Sequence, residues 1–330
     1  MGTSTDIDNA IADRYQGFSG NGELAQLERL FDASFVSALH TILASTPHTL
    51  SLKIRLDWID KRPYADMAIS KAKDINDHLI TRPVELGDAA IFVIEAFSLN
   101  GQIVSKKGRG LILQAKVAPG PAMANVPVTS LSGSNPDAST NKELALLSQW
   151  PGFELHLANN RRGKSLGIYS IPMLSTPPPY GWYAAAPGPD SIGWSSNGQW
   201  RSRWMCAPAV NGCACDSTLG EVIEALFHRQ KITGAFVGAD CYPVAGTYKA
   251  IYRNPPQKGP TDWDMLCTTL LELPVKKHRV SSGAHGVFAS FPYLPQLIGM
   301  AGLRGIYRWW LSRFRRDRFP ILIIERVRQD

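Results

Sequence analysis

Residues 108–118, GRGLILQAKVA, contain an apolar stretch that is interrupted by two polar residues, Gln114 and Lys116. A short apolar run bounded by glycine indicates a buried β-strand, and side chains alternate between the two faces of a strand. Gln114 and Lys116 therefore project from the same face. Two polar groups on one face of a buried strand need either a partner or a function, which predicts a polar site on a central sheet.

The chain has 330 residues, of which 44% are hydrophobic and 19% charged. This is enough apolar material for one large domain or two smaller ones. The first residues, MGTSTDIDNAIADRYQ, lack the basic and apolar regions of a signal peptide, and the five cysteines form no regular framework. These features predict a cytoplasmic protein.

Positive charge is concentrated at the end of the chain. Residues 276–330 contain 11 Lys and Arg against 3 Asp and Glu, whereas the remainder contains 24 against 25. Such a concentration favours a polyanionic partner, either nucleic acid or an anionic membrane surface. A solvated helical face explains the same charge equally well.

Periodicity predicts a long amphipathic helix at 23–45 and strands near 49–59, 88–97, 110–117, 153–158 and 165–171. Further helices are expected at 65–79, 141–150, 217–230 and 262–273, and an Asn-Gly pair marks a turn between the second and third strands. This order predicts an α/β (α+β) fold in which a mixed β-sheet is flanked by helices. Residues 1–175 form the expected core, and residues 176–330 an irregular accessory region.

Asp88, in the segment ELGD, begins one predicted strand, and the Gln114-x-Lys116 pattern lies on the next. This arrangement resembles the PD-(D/E)XK, or restriction-endonuclease-like, nuclease superfamily, in the variant in which Gln replaces the last acid. The resemblance covers roughly residues 20–175 and rests on motif and element order. It implies a restriction-endonuclease-like core that hydrolyses phosphodiester bonds, DNA in preference to RNA, in bacterial restriction or phage defence. The same segments also resemble uncharacterised bacterial proteins, which implies no particular activity.

The resemblance implies a role for each motif residue. Asp88 is the expected carboxylate ligand of Mg²⁺ or Mn²⁺, with the amide oxygen of Gln114 and the carbonyl of Ala115 as further ligands. Lys116 supplies positive charge beside the reacting phosphate. Because Gln brings no charge, the site needs another acid.

The helix at 23–45 offers that acid. On a helical wheel Glu28 lies on the apolar stripe, whereas Glu23 points away, and a buried carboxylate needs a partner or a metal. Glu28 is therefore the expected fourth catalytic and metal-binding residue, and Glu85 is an alternative that supports Asp88. Alternatively, Lys116 and Glu28 form a salt bridge with no catalytic role.

Two further groups of residues are candidates for binding. Cys206, Cys213, Cys215 and Cys241 lie close in sequence, but they lack paired C-x-x-C spacing, so the pattern favours buried thiols over a structural Zn²⁺ site. The C-terminal segment LRGIYRWWLSRFRRDR predicts an amphipathic helix with an apolar stripe. Its expected nucleic-acid contacts are Arg304, Arg308, Arg313, Arg315 and Arg316.

Three functions follow from these patterns. The first is a Mg²⁺-dependent endonuclease, for which a homodimer or a partner subunit of a defence system is expected if both strands are cut. The second is a non-catalytic nucleic-acid-binding subunit with a degenerate site. The third is a peripheral membrane or scaffold protein that uses the basic C-terminal helix. The prolines and glycines before this helix disfavour a membrane span.

Overall fold

The computed structural model describes residues 2–16, 23–59, 61–118, 124–128, 135–157, 164–188, 200–254, 259–273 and 318–329. The α-helices of this part are α1 (Thr3–Arg14), α2 (Glu23–Leu30), α3 (Ala33–Ala44), α4 (Ser139–Gln149), α5 (Leu219–His228) and α6 (Asp262–Glu272). The strands are β1 (Thr49–Ile59), β2 (Pro63–Asp66), β3 (Val84–Glu85), β4 (Ala89–Leu99), β5 (Gln102–Ala118), β6 (Phe153–Leu157), β7 (Ser165–Tyr169), β8 (Gly181–Pro187), β9 (Met205–Pro208), β10 (Ser217–Thr218), β11 (Lys231–Ile232), β12 (Ala235–Phe236), β13 (Ala239–Cys241) and β14 (Phe319–Gln329).

Capping decides where several helices begin. The helix predicted at 23–45 is two helices, because Asp32 adopts extended backbone and its carboxylate accepts a hydrogen bond from Phe35 N at 2.8 Å. The prediction of a helix at 65–79 is wrong. Asp66 ends β2 and caps only one 3₁₀ turn, Met67–Ser70, which stops at the left-handed Lys71.

The main sheet has the order β1-β14-β4-β5-β8-β9-β10, and β13 pairs with the first half of β5. β14 is parallel to β4, and β8 is parallel to β5, while the other neighbours are antiparallel. β4 and β5 form the expected hairpin, in which Asn100 and Gly101 have positive φ. The mixed sheet with flanking helices confirms the predicted α+β class.

Both faces of this sheet are buried. Ala90, Phe92 and Ile94 point to a core that also contains residues of α4, α6 and a smaller sheet, β3-β2-β6-β7. We call this side the α4 face. Ala89 and Ile91, with the opposite parity, point to a core built by α1, α2, α3 and α5, which we call the α5 face. Strict alternation along β4 thus separates two layers, as period-two patterning requires.

The expected division at residue 175 cuts through this sheet. β8 and β9 extend it at one side, and β14 lies between β1 and β4 although it is nearly the last segment of the chain. β14 itself was missed by the sequence analysis, although its run of apolar residues from 320 to 324 is typical of a buried strand. The basic segment with Arg304, Arg308, Arg313, Arg315 and Arg316 lies outside the described residues.

Candidate functional site

Asp88 lies where the chain enters β4, and it is clasped to the end of β5. Its backbone N–H donates to Leu113 O at 2.8 Å. The preceding Gly87 allows this close approach, since a Cβ there would lie 2.5 Å from Ile112 Cγ2 and 3.0 Å from Leu113 O. Packing therefore explains the glycine of ELGD, because no larger residue fits between the two strands without a shift of its neighbours.

Asp88 and Gln114 meet as the sequence analysis expected. The Gln114 amide donates to Asp88 Oδ2, and the backbone N–H of Ala115 donates to the same oxygen at 2.9 Å. Ala115 thus contacts Asp88 through its N–H. Both side chains are almost fully buried. The carboxylate of Asp88 is therefore fixed in position by the strand that carries the Gln-x-Lys pattern.

Lys116 follows on the same face and lies between two carboxylates. Its Nζ is 2.9 Å from Oε2 of Glu143 on α4 and 3.7 Å from Oε2 of Glu23, the first residue of α2. The acid that α2 brings to Lys116 is therefore Glu23, and the expectation that Glu23 points away is wrong. The role expected of Glu28 stays a prediction. The helical wheel failed because it treated α2 and α3 as one continuous helix.

Arg62, in the turn between β1 and β2, was not anticipated. Its Nη1 contacts Asp88 Oδ1 at 3.3 Å and also pairs with the Glu85 carboxylate. Glu85 accepts a further hydrogen bond from Tyr64 Oη at 3.0 Å. Glu85 therefore belongs to the same network as Asp88, as expected, but it is connected through Arg62. A cation that binds at Oδ1 of Asp88 has to displace this guanidinium.

Burial and mutual repulsion govern protonation in the site. Burial and the neighbouring Glu23 raise the pKa of Asp88 well above its ordinary range, and burial also raises the pKa of Glu23. Burial lowers the pKa of Lys116, but Glu143 and Glu23 outweigh it, so its pKa is raised and the ammonium stays charged. Carboxyl groups with raised pKa beside a charged lysine are typical of functional sites.

Glu143 and Tyr183 complete the surroundings of the motif and were missed by the sequence analysis. Glu143 lies between Thr140 and Leu147 on the buried stripe of α4, and a carboxylate on a buried helical stripe needs a partner or a metal. Tyr183 is the partner of Gln114 in the pairing of β5 with β8, and burial and the nearby Glu143 raise its pKa well above the ordinary value.

The donor set fits a hard divalent cation. Four carboxyl groups share two ion-paired cations, Arg62 and Lys116, so acids outnumber bases in this ion-paired network; the four acids are Glu23, Glu85, Asp88 and Glu143. The amide oxygen of Gln114 is buried and has no hydrogen-bond partner in the described part of the chain. Carboxylate and amide oxygens are ligands that Mg²⁺ accepts. In the described ranges, however, no three Asp, Glu, His or Cys side chains form a preformed metal cluster, since Arg62 and Lys116 lie between the acids.

The four cysteines considered for zinc lie in different surroundings. Cys206 is buried, and burial raises its pKa well above the ordinary value; for Cys215 burial raises the pKa to about 12. Cys241 hydrogen-bonds to Cys267, a cysteine outside the predicted set. Zinc binds the thiolate, so these raised pKa values favour buried thiols.

No protein-family model, curated protein or solved structure matches this chain significantly. Within the described residues, no helix combines the length and the apolar character that crossing a membrane requires. The chain is thus defined by its mixed α+β sheet and by a buried cluster of acids, amide and lysine at the ends of β4 and β5.

Proposed function

We propose that the protein is a metal-dependent nuclease that hydrolyses phosphodiester bonds, with DNA as the preferred nucleic acid. The observation that carries this proposal is the meeting of Asp88, Gln114 and Lys116 on one face of the sheet, with Glu23 beside them. It is the set of groups that the superfamily resemblance implies, with the helix acid changed from Glu28 to Glu23.

The chemistry of each group supports this function. Asp88, Glu23 and the unpaired amide oxygen of Gln114 are the residues that would hold Mg²⁺ or Mn²⁺. When bound, such a cation activates water and neutralises charge on the phosphate. Lys116 contributes a permanent positive charge next to these oxygens. Glu143 holds the Lys116 ammonium in place through their 2.9 Å ion pair.

Access to the cluster is from the side of Glu23 and Glu85, whose side chains are each 26% exposed. The Asp88 side chain is only 1% exposed and lies behind Arg62. A phosphate therefore approaches along the edge formed by α2 and β3, and the displacement of Arg62 from Asp88 accompanies cation binding.

The second candidate is a non-catalytic nucleic-acid-binding protein with a degenerate nuclease site. It is favoured by one specific observation: both oxygens of Asp88 already accept from protein donors, Arg62 on one side and Gln114 with Ala115 on the other. In this case the cluster holds the strands together. Binding would then be steeply salt-dependent and unaffected by EDTA, with no cleavage.

The test is incubation of the full chain with supercoiled plasmid, linear duplex DNA, single-stranded DNA and RNA, with Mg²⁺ or Mn²⁺ and with EDTA as control. We expect metal-dependent cleavage that is lost in Asp88→Asn and in Lys116→Met. Asp77→Asn is the matched control, since the Asp77 side chain is 82% exposed and its ion pair is with Lys73, which is not part of the cluster. Cleavage that persists in both site variants, or that EDTA does not stop, overturns the assignment.

A further inference from the structure

A second charged cluster lies on the α5 face, where β4, β5 and β14 run side by side. At its centre is Glu95, which is 1% exposed and which contacts Arg326 at 2.5 Å, Arg328 at 3.2 Å and Arg229 at 3.3 Å. Glu95 directly opposes Arg326 on β14 and Lys107 on β5. We call this group, together with Arg109 and Asp240, the arginine cluster.

The arginine cluster carries more positive than negative charge. Asp240 accepts from Arg109 at 2.9 Å and from Arg229 at 2.6 Å. Asp240 and Glu95 are the two acids, and they face five cations: Lys107, Arg109, Arg229, Arg326 and Arg328. The carbonyl end of α5 adds about half a negative charge. The excess thus remains more than two positive charges.

Several guanidinium groups of the cluster also have unused donors. Arg109 Nη1, Arg229 Nη2 and Arg326 Nε are buried and find no hydrogen-bond acceptor among the described residues. Arg326 is 4% exposed and Arg109 is 8% exposed. A buried donor without an acceptor is costly, so these three N–H groups are available to an anion that enters the cluster.

We propose that the arginine cluster is a phosphate-binding site. Guanidinium groups match the geometry of a phosphate with paired N–H donors, and an anion there would neutralise the excess charge. The route from solvent is past Arg328 and Asp240, whose side chains are 35% and 41% exposed. A bound phosphate would accept from the guanidinium donors that Glu95 and Asp240 leave unused.

This site is distinct from the nuclease-like one. Glu95 lies seven residues along β4 from Asp88, or about 23 Å at the rise of an extended strand. The two residues also have opposite parity, so their side chains lie on opposite faces of the sheet. The phosphate site therefore does not depend on whether the Asp88 cluster cleaves nucleic acid.

The phosphate can be free or part of a nucleotide, and a neighbouring cleft offers room for a base. Lys107 lines a cavity of about 260 Å³ whose wall includes Tyr242 and Tyr252. The two tyrosine rings are stacked, with centroids 5.2 Å apart and an angle of 25° between their planes. Aromatic side chains of this kind bind bases by stacking.

The test is calorimetric titration of the full chain with inorganic phosphate and with adenosine monophosphate, in EDTA and at constant ionic strength. We expect saturable binding of one of them or both. Arg328→Gln should weaken it on the order of tenfold, because one positive charge on the route into the cluster is lost. Asp240→Asn should strengthen it, because a competing acid is removed. Tyr252→Ala should weaken adenosine monophosphate alone if the nucleotide is the natural ligand.

Lys53→Gln is the matched control, because it removes the same charge from β1 at a side chain that is 61% exposed and paired with Glu325. It should leave phosphate binding unchanged. Circular dichroism of each variant checks that the fold is retained. Absence of saturable binding, or equal weakening by Arg328→Gln and Lys53→Gln, overturns the proposal.

Discussion

The guanidinium of Arg62 lies 3.3 Å from Oδ1 of Asp88, on the opposite side of the carboxylate from Gln114 and Ala115. Arg62 therefore occupies one of the two oxygens through which the Asp88 carboxylate could bind a metal ion. Arg62 Nε and Nη2 are buried without a hydrogen-bond acceptor in the described part of the protein. The Arg62–Asp88 ion pair stabilises the cluster, and it also competes with any cation that binds at Oδ1 of Asp88.

Replacing Arg62 with Gln should make the protein bind Mn²⁺ more tightly, on the order of tenfold, because a competing cation is removed from Asp88. The same change should lower stability in EDTA, since Asp88 and Glu85 then lose their shared partner. Titration of Mn²⁺ by calorimetry and urea unfolding in EDTA measure the two effects. Unchanged Mn²⁺ affinity would show that Arg62 does not compete with the cation.

Asp88→Asn should change stability in a pH-dependent way. Since the pKa of Asp88 is raised in the folded protein, the native state binds the proton more tightly than the unfolded state does. The wild type therefore loses stability as pH rises from about 4 towards the raised pKa, whereas the variant does not. In EDTA, Asp88→Asn should gain on the wild type between pH 5 and pH 8.

Urea unfolding of both proteins at pH 5 and pH 8 checks this. A variant that is less stable by the same amount at both pH values would contradict the raised pKa. It would mean that the hydrogen bonds that Asp88 accepts from Gln114 and Ala115, together with its contact with Arg62, determine its contribution to stability.

Lys116→Met should destabilise the protein by about 3–5 kcal/mol, because it leaves Glu143 as an unpaired buried charge. The double variant Lys116→Met with Glu143→Gln should recover most of that loss, since neither charge then remains. Cleavage should stay absent in both. Chemical unfolding together with the nuclease assay separates the roles, and cleavage restored in the double variant would exclude Lys116 from the reaction.

Glu23→Gln and Glu28→Gln form a matched pair on α2. Glu23 lies 3.7 Å from Lys116 Nζ, so Glu23→Gln should weaken Mn²⁺ binding and cleavage, each on the order of tenfold, as expected when one charged ligand becomes neutral. Glu28→Gln should change neither. If the two variants behave in the opposite order, the assignment of Glu23 is wrong and the helical-wheel prediction stands.

Gly87→Ala should destabilise the protein by about 1–3 kcal/mol, because the new Cβ would lie 2.5 Å from Ile112 Cγ2. The adjacent Asp88 would shift with it, so the same variant should also weaken Mn²⁺ binding. Gly101→Ala is not an adequate control, since Gly101 has positive φ. Gly259→Ala is the better one, because a Cβ there meets no described atom within 4 Å.

Local pattern was sufficient for part of the site. The parity of Gln114 and Lys116 along β5 correctly placed both on one face, since alternation is fixed by strand geometry. The same pattern predicted the β4–β5 hairpin and the position of Asp88 at the entry of β4. Local pattern placed Glu23 on the wrong side of its helix. The chain breaks at Asp32 into two helices, so the faces of α2 differ from those of one continuous helix.

The remaining residues come from distant parts of the chain. Glu143 reaches Lys116 from α4, and Arg62 reaches Asp88 from the turn after β1. β14 brings Arg326 to Glu95 from more than two hundred residues away, and it turns two expected regions into one sheet. No spacing in the sequence encodes such contacts, since they depend on which elements pack together.

The amino-acid sequence alone determined the α+β class, the hairpin and the shared face of Gln114 and Lys116, because propensity and two-residue periodicity act within a few neighbours. Only the tertiary structure decided which acids surround Lys116 and that Arg62 covers Asp88. It also decided that several arginines contact Glu95 on the opposite face of the sheet. Buried charges need partners, and which charges become buried depends on how all the layers pack together.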